Sequence, residues 1–249
     1  MKIALLVPSR ERIAKKKELI NSVLSTVLDI NNVKIYFGID LDDPTRDEAM
    51  RLRNCYSFVE IVDIDNNGKF LGVGKLWNLC AKEAKEEILA MIGDDMVFRT
   101  KGWDDIILRE FGDYLCPKDN IKMVYCNDGM HGSEISVNLF IHRRYMELNG
   151  YLMREEFMVD FIDTWIQQVL SSLGRVKYRG DILIEHKHWS FRKSFKDSVA
   201  NNLRGNGYPQ ESQVLWAKLI NERRKEAILI GEHIGVTPDF NLIDSVIKG

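Results

Sequence analysis

Short apolar runs alternate along this chain with amphipathic segments of about a dozen residues. Lys2–Val7, Val33–Ile39 and Phe58–Ile64 are rich in aliphatic residues and end at turn-forming residues, which is typical of buried strands. The segments that begin at Arg10 and Lys75 instead carry apolar residues at helical spacing. This alternation predicts an α/β fold with a doubly wound, parallel sheet.

The apolar run with the clearest chemistry is Ile88–Phe98, in which five apolar residues lead directly into Gly93, Asp94 and Asp95. We interpret it as a buried strand that leaves the sheet at the glycine. Two adjacent carboxylates are costly to bury there unless a cation meets them. Ligands of open α/β sheets bind at the edge where the carboxyl ends of the strands lie. The pair is therefore either a divalent-metal site that receives a diphosphate or a solvated Gly-Asp-Asp turn.

The second half of the chain predicts further helices and strands. Helices are expected at Gly102–Leu115, His142–Asn149 and Phe157–Leu173, and strands at Lys122–Cys126, Ile135–Ile141, Arg175–Arg179 and Ile182–Ile184. The last strand leads to His186 and His188. After Phe191 the composition becomes more basic, and Glu211–Leu229 is predicted to be one more helix. We therefore expect a core domain, residues 1–190, and a helical C-terminal extension, residues 191–249, packed on it.

Composition narrows the class of protein but not its partner. The 249 residues are 45% hydrophobic and 29% charged with a net charge of −2, which gives no whole-molecule argument for nucleic acid or membrane. No stretch approaches the ~18 apolar residues of a membrane span, and the run Ile3–Val7 is too short for a signal peptide. The four cysteines form no C-x-x-C pair, which is typical of reduced thiols. We expect a cytoplasmic protein.

The order of these features resembles the metal-dependent GT-A glycosyltransferases, and most closely the inverting family-2 enzymes. Four features occur in that family's order: a strand before Pro8-Ser9-Arg10, a strand before Asp40, a helix with Trp77-Asn78, and a strand ending in Asp94-Asp95. Phe140–Asp163 resembles the family's segment of strand, arginine, helix, glycine and acidic pair. Asp163 also precedes Gly174 by eleven residues, as in the family. The resemblance covers residues 1–190.

The resemblance implies a Rossmann-like GT-A fold with a mostly parallel sheet, and transfer of a sugar from a nucleotide-sugar donor to a hydroxyl with inversion. It favours a UDP-sugar. It also implies that Asp94 and Asp95 bind Mn²⁺ or Mg²⁺, with His186 or His188 as a further ligand that favours Mn²⁺. The family pattern is Asp-x-Asp, whereas this chain has Gly-Asp-Asp-Met, so which aspartate contacts the metal stays open. The alternative for each histidine is a structural role.

Roles for acids and for the donor also follow from the resemblance. It implies Asp163 as the general base, with Asp160 second; the alternative is that both acids favour a helix N-terminus. The implied donor-binding residues are Pro8, Ser9, Arg10, Asp40, Asp42, Lys75, Asn78 and Asp94. The alternative for residues 10–12 is a charged first helical turn. Asn127, Asp128 and His131 are on a loop that could line the acceptor side.

Other functions remain open at this point. A sugar-nucleotide pyrophosphorylase is disfavoured because Pro8–Arg12 is not a glycine-rich phosphate loop. A non-catalytic nucleotide- or carbohydrate-binding module on the same fold is a second alternative. The basic tail with Arg192, Lys193, Lys196 and Arg204 is a solvated helix face, a diphosphate clamp or a patch for DNA. The acceptor is thus a saccharide or a modified viral DNA base, and a homo-oligomer is possible.

Overall fold

The computed structural model describes residues 1–112, 114–187 and 206–244. Among these residues the strands are β1 (Ile3–Pro8), β2 (Val33–Asp40), β3 (Val59–Ile64), β4 (Ile88–Met91), β5 (Met96–Phe98), β6 (Met123–Asn127), β7 (Leu139–His142) and β8 (Val176–His186). The helices are α1 (Ile13–Thr26), α2 (Arg46–Cys55), α3 (Val73–Glu83), α4 (Trp103–Glu110), α5 (Arg144–Asn149), α6 (Ile162–Ser172), α7 (Tyr208–Lys218), α8 (Ile220–Ile234) and α9 (Phe240–Asp244).

The strands form one mixed sheet in the order β3-β2-β1-β4-β7-β6-β8-β5. Strands β3, β2, β1 and β4 are parallel to one another, and β6 is parallel to β8. Strand β7 is antiparallel to its neighbours β4 and β6, and β5 is antiparallel to β8. The prediction of an α/β sheet flanked by helices is confirmed, but "mostly parallel" is only partly right. The loop 128–138 joins β6 directly to β7, and antiparallel neighbours need no helical crossover.

The run Ile88–Phe98 contains two strands in the structure, the one predicted before the glycine and a second after the aspartates. β4 ends at Met91, the Gly93-Asp94-Asp95 turn follows, and β5 pairs with the end of β8. Met96 lies opposite His186 in that pairing. The chain therefore leaves the parallel part of the sheet at the two aspartates, and β5 brings the histidine beside them.

Other departures from the predicted elements have simple causes. Helix α2 was not predicted, because of its ten residues only Ala49 and Leu52 are buried. The two strands predicted at Arg175–Arg179 and Ile182–Ile184 are one strand, β8. The helix predicted at Glu211–Leu229 is divided into α7 and α8.

Buried side chains form a cluster on each face of the sheet. Ala4 and Leu6 of β1 point into one cluster, and Ile3, Leu5 and Val7 point into the other. Helices α3, α6 and α8 cover the first face, and α1, α2 and α4 cover the second. A strand with buried side chains on both faces explains the continuous apolar run in β1.

The C-terminal helices are joined to the core by a buried hydrogen-bond network. Glu226 of α8 is 5% exposed and accepts hydrogen bonds from Tyr145 (2.5 Å), Tyr151 (2.5 Å) and Trp165 (2.8 Å). The predicted domain division at 190/191 falls within residues 188–205, outside the described residues, and stays a prediction. In the part of the chain that the structure describes, no helix has the length and apolar character required to cross a membrane.

We expect Glu226→Ala to destabilise the protein strongly. The change removes the acceptor of these three short hydrogen bonds in a buried site, so the free energy of unfolding should fall by at least about 3 kcal/mol, measured by urea denaturation. Glu222→Ala on the same helix is the control, because Glu222 pairs with Lys225 at the surface and its loss should have no measurable effect. An unchanged midpoint for Glu226→Ala would show that the network does not stabilise the fold.

Candidate active site

The candidate site lies where the order of strands reverses along the sheet. The chain adds β2 and β3 on one side of β1 and then β4 on the other, so the loops after β1 and β4 diverge. The carboxyl ends of β1, β2 and β4 lie at one edge because these strands are parallel. Such a switch point leaves a crevice that binds ligands in open α/β sheets.

A cleft of about 460 Å³ occupies this position. Six of the predicted donor-binding residues line it, namely Pro8, Ser9, Arg10, Asp40, Asp42 and Asp94. Phe70 and Tyr208 also line it, with their ring centroids 5.8 Å apart. Tyr208 is the first residue of α7, so the C-terminal helices supply part of the wall. The volume is in the usual range for a small-molecule site of about 300–1,000 Å³.

The loop after β1 is fixed to the loop after β2 by charged hydrogen bonds. Arg10 Nη1 lies 3.0 Å from Asp40 Oδ2 and 2.5 Å from Asp42 Oδ1. The hydrogen bond from Arg10 holds the pKa of Asp42 below its ordinary value, whereas burial raises the pKa of Asp40. These three residues form a polar part of the wall of the cleft.

A buried lysine supports the same loop. Glu11 has a left-handed backbone (φ 64°), and its N–H donates to Asp43 Oδ2 at 2.8 Å. Lys16 is fully buried, and its Nζ donates to the Glu11 carbonyl at 3.1 Å. Burial lowers the pKa of Lys16, and the negative charge of Asp94 opposes that effect. Lys16 carries no signal in the sequence, since it lies in an ordinary run of helical lysines.

Asp94 is the buried member of the aspartate pair. Its Oδ2 accepts a hydrogen bond of 2.6 Å from the Ser9 hydroxyl, and its Oδ1 accepts one of 2.9 Å from Arg12 Nη1. Burial raises the pKa of Asp94, and the positive charge of Arg12 acts against that rise. Both carboxylate oxygens therefore have partners in the loop after β1.

Asp95 faces the end of β8. Its Oδ1 lies 3.3 Å from His186 Nε2, and its Oδ2 lies 3.9 Å from Lys15 Nζ. Burial alone would raise the pKa of Asp95, but the hydrogen bond and charge of His186, with the charge of Lys15, hold it below its ordinary value. The structure thus brings His186 to the aspartate pair, whereas His188 lies outside the described residues.

The residues around Asp95 fit one kind of metal site and not another. Among the described residues, no group of three or more His, Cys, Asp or Glu side chains is arranged to hold an ion. Asp95 and His186 offer one oxygen and one nitrogen, a donor set that Mn²⁺ accepts. Ions of the Mg²⁺ type often take one or two protein carboxylates and complete their shell with substrate phosphates. The donors fit an ion shared with a diphosphate rather than one held by protein alone.

Two of the predicted donor-binding residues, Lys75 and Asn78, do not line the cleft. Asn78 is 2% exposed, and its amide bonds the backbone of Leu152 and Met153, which joins α3 to the segment after α5. Lys75 lies in the first turn of α3, half-buried, outside the cleft lining. Val73 and Leu76 of this helix face the cleft instead.

Asp163 lies in the first turn of α6. Its Oδ1 accepts a 2.8 Å hydrogen bond from the Thr164 N–H. Burial raises the pKa of Asp163, and the negative charge of Asp160 also raises it. The preceding segment touches α3, since the Val73 N–H donates to the Met158 carbonyl at 2.9 Å. This contact attaches the acidic segment to the helix that lines the cleft.

A second acid–histidine pair lies at the same edge. Asp128, 1% exposed, has Oδ2 at 2.6 Å from His131 Nδ1, and its carbonyl accepts a 2.9 Å hydrogen bond from the His186 N–H. Hydrogen bonds from the backbone and ring of His131 hold the pKa of Asp128 low, against the effect of burial. The loop suggested for the acceptor side thus adjoins the strand end that carries His186.

Comparison with known proteins supports the fold. No family profile and no curated protein matches the sequence. The structure is similar to S. aureus TarS 1–349 in complex with UDP, with a TM-score of 0.57 and 15% identity over 94% of this chain and 82% of that one. It is also similar to the mannosyltransferase PcManGT from Pyrobaculum calidifontis in complex with GDP-Man and Mn²⁺, with a TM-score of 0.57 and 11% identity over 93% of this chain and 73% of that one.

These structural similarities concern the fold. A longer TarS structure matches with a TM-score of 0.57 and 14% identity over 74% of this chain, but the match covers only 36% of the TarS chain. At such identities the similarity shows the fold alone. The chain has a GT-A-like glycosyltransferase fold, as the resemblance implied, while membership of family 2 and inversion stay predictions.

Proposed function

We propose that this protein is a glycosyltransferase that uses a nucleoside-diphosphate sugar. The observation that carries the proposal is the cleft itself, where the loop after β1, the acidic loop after β2 and the Asp94-Asp95 turn meet at the switch point of the sheet. The similarity to proteins in complex with UDP and with GDP-Man and Mn²⁺ supports it.

The residues that line the cleft suit both the nucleoside and the diphosphate of such a donor. Arg10, Asp40 and Asp42 provide a polar wall for the base and ribose, and Phe70 with Tyr208 offers an aromatic surface for a base. Asp94 and its partner Arg12 also line the cleft, and we place the diphosphate beside them. A UDP-sugar remains our choice, following the family resemblance.

Asp95 and His186 would hold Mn²⁺ or Mg²⁺ together with the diphosphate. When bound, the ion supplies positive charge that stabilises the diphosphate leaving group. We assign Asp95 rather than Asp94 as the carboxylate ligand, because the contacts of Asp94 with Ser9 and Arg12 (2.6 and 2.9 Å) are shorter than those of Asp95 with His186 and Lys15 (3.3 and 3.9 Å). The β5–β8 pairing, which brings His186 beside Asp95, supports this role for the histidine.

Asp163 is our choice for the base that removes the proton of the acceptor hydroxyl, with Asp160 second. Its position at the start of α6, attached to the wall of the cleft through Val73 and Met158, supports this choice. A base on the face opposite the leaving group gives inversion. The acceptor is a saccharide or a modified DNA base; the basic tail behind the DNA alternative lies in residues outside the described ranges.

Binding of nucleotide and metal tests the donor site. We expect UDP, or else one of GDP, CDP and dTDP, to raise the melting temperature more with Mn²⁺ than with EDTA. A nucleotide at 100 times its Kd would add about 2.7 kcal/mol of stability. Asp95→Asn should reduce the shift to the EDTA value, because it removes the proposed carboxylate ligand.

Asp105→Asn is the matched control, since Asp105 pairs with Arg109 on the surface of α4. It should keep the full Mn²⁺-dependent shift. If no nucleotide stabilises the protein, a binding module for another ligand would replace the transferase. If Asp95→Asn keeps the full shift, the ligand assignment is wrong.

The rate of donor turnover against pH tests the base. Asp163→Asn should lower turnover about a hundredfold or more while leaving nucleotide binding intact. A base must be deprotonated, so activity should fall as pH drops through the raised pKa of Asp163. In a plot of activity against pH, the midpoint of the fall on the acid side should therefore lie above 3.9, which is about the ordinary pKa of aspartate.

Asp160→Asn separates the two acids. It removes a negative neighbour of Asp163, which should lower the pKa of Asp163 and move the midpoint of that fall to lower pH. If Asp160→Asn abolishes turnover and Asp163→Asn does not, the two roles are reversed. Turnover can be followed as release of nucleoside diphosphate from the sugar nucleotide that binds.

A further inference from the structure

The aspartate pair at the proposed metal position already has cations of the protein beside it. Arg12 Nη1 lies 2.9 Å from Asp94 Oδ1, and Lys15 Nζ lies 3.9 Å from Asp95 Oδ2. The four side chains are between 4% and 23% exposed, so solvent screens these charges weakly. Without such partners two adjacent buried carboxylates would repel each other and lose hydration.

Both cations come from the start of one helix. Arg12 is the N-cap residue of α1, and Lys15 follows three positions later, on the same side of the helix. The first turn of α1 contains no acid, although acids are the residues that the helix dipole favours there. Positive charges at this end destabilise α1 taken alone, but they stabilise the negative charges of Asp94 and Asp95 in the turn after β4. The placement therefore serves the aspartates.

We propose that Arg12 and Lys15 are resident counter-ions that prevent a divalent ion from binding to this site until a nucleoside diphosphate arrives. The inference rests on the proposed function and adds the order and coupling of binding. A lone divalent ion beside Asp95 meets the repulsion of two nearby positive charges. A diphosphate brings several negative charges, which attract the same two cations. The ion and the diphosphate then enter as one unit.

The sign of the charge effect thus differs between the two ligands. Arg12 opposes the ion when it arrives alone and favours the diphosphate at all times. Each ligand should consequently increase the affinity of the other by the same factor, because coupling between two binding equilibria is reciprocal. The donor set agrees with this scheme, since Asp95 and His186 leave most of the shell of an ion to be filled by the diphosphate and water.

Direct titration of the full chain tests the counter-ions. Binding of Mn²⁺ alone is followed by the EPR signal of the free ion, and binding of UDP, GDP, CDP and dTDP by calorimetry in EDTA. Arg12→Gln should bind Mn²⁺ alone about tenfold more tightly than the wild type and should bind the nucleoside diphosphate about tenfold more weakly. Lys15→Gln should likewise strengthen the binding of Mn²⁺ alone and weaken the binding of the nucleoside diphosphate.

Arg46→Gln is the matched control, because Arg46 of α2 pairs with Asp63 of β3 and the substitution removes the same charge. It should leave both affinities unchanged. A variant that merely misfolds would lose both ligands, whereas the counter-ion role requires changes of opposite sign. This difference separates the proposal from simple damage to the site.

The possible failures can be distinguished. If the wild type binds none of the four nucleotides with or without Mn²⁺, the proposed function fails and the coupling fails with it. If it binds one of them but Arg12→Gln and Lys15→Gln bind Mn²⁺ alone no more tightly than the wild type, the donor site stands and the counter-ion role is overturned.

Discussion

The burial of Asp94 is the constraint on which this edge of the sheet depends. A carboxylate at 5% exposure needs partners, and it finds them in Ser9 and Arg12 of the loop after β1. Those bonds fix the turn after β4 to that loop. Arg10 in turn fixes the same loop to the acids after β2. One buried charge thus connects three strand ends around the cleft.

Much of this edge could be predicted from the sequence because the signals are local. An apolar run that stops at Gly93 before two acids marks a strand end, and Ser9, Arg10 and Asp40 follow other such ends directly. Parallel strands bring their carboxyl ends together, so proximity along the sheet edge follows from the topology. The mixed half of the sheet was harder, because β7 and β5 are too short to show their direction in the sequence.

The residues that sequence reasoning missed or misplaced depend on tertiary contacts. Asn78 is in a helix next to the cleft, but a rotation of one residue decides whether a side chain faces a ligand or the neighbouring segment. Tyr208 reaches the cleft from a helix that begins more than 130 residues after Phe70. Arg12 and Lys15 did leave a trace, since cations in a first helical turn oppose the helix dipole.

The two halves of the sheet supply different parts of the same chemistry. The parallel half provides the crevice and its acids Asp40, Asp42 and Asp94, which lie at or directly after the ends of β2 and β4. The antiparallel pairing of β5 with β8 brings His186 to Asp95, and the His186 N–H bonds the carbonyl of Asp128. The departure from the predicted topology is therefore what brings an imidazole to the aspartate pair.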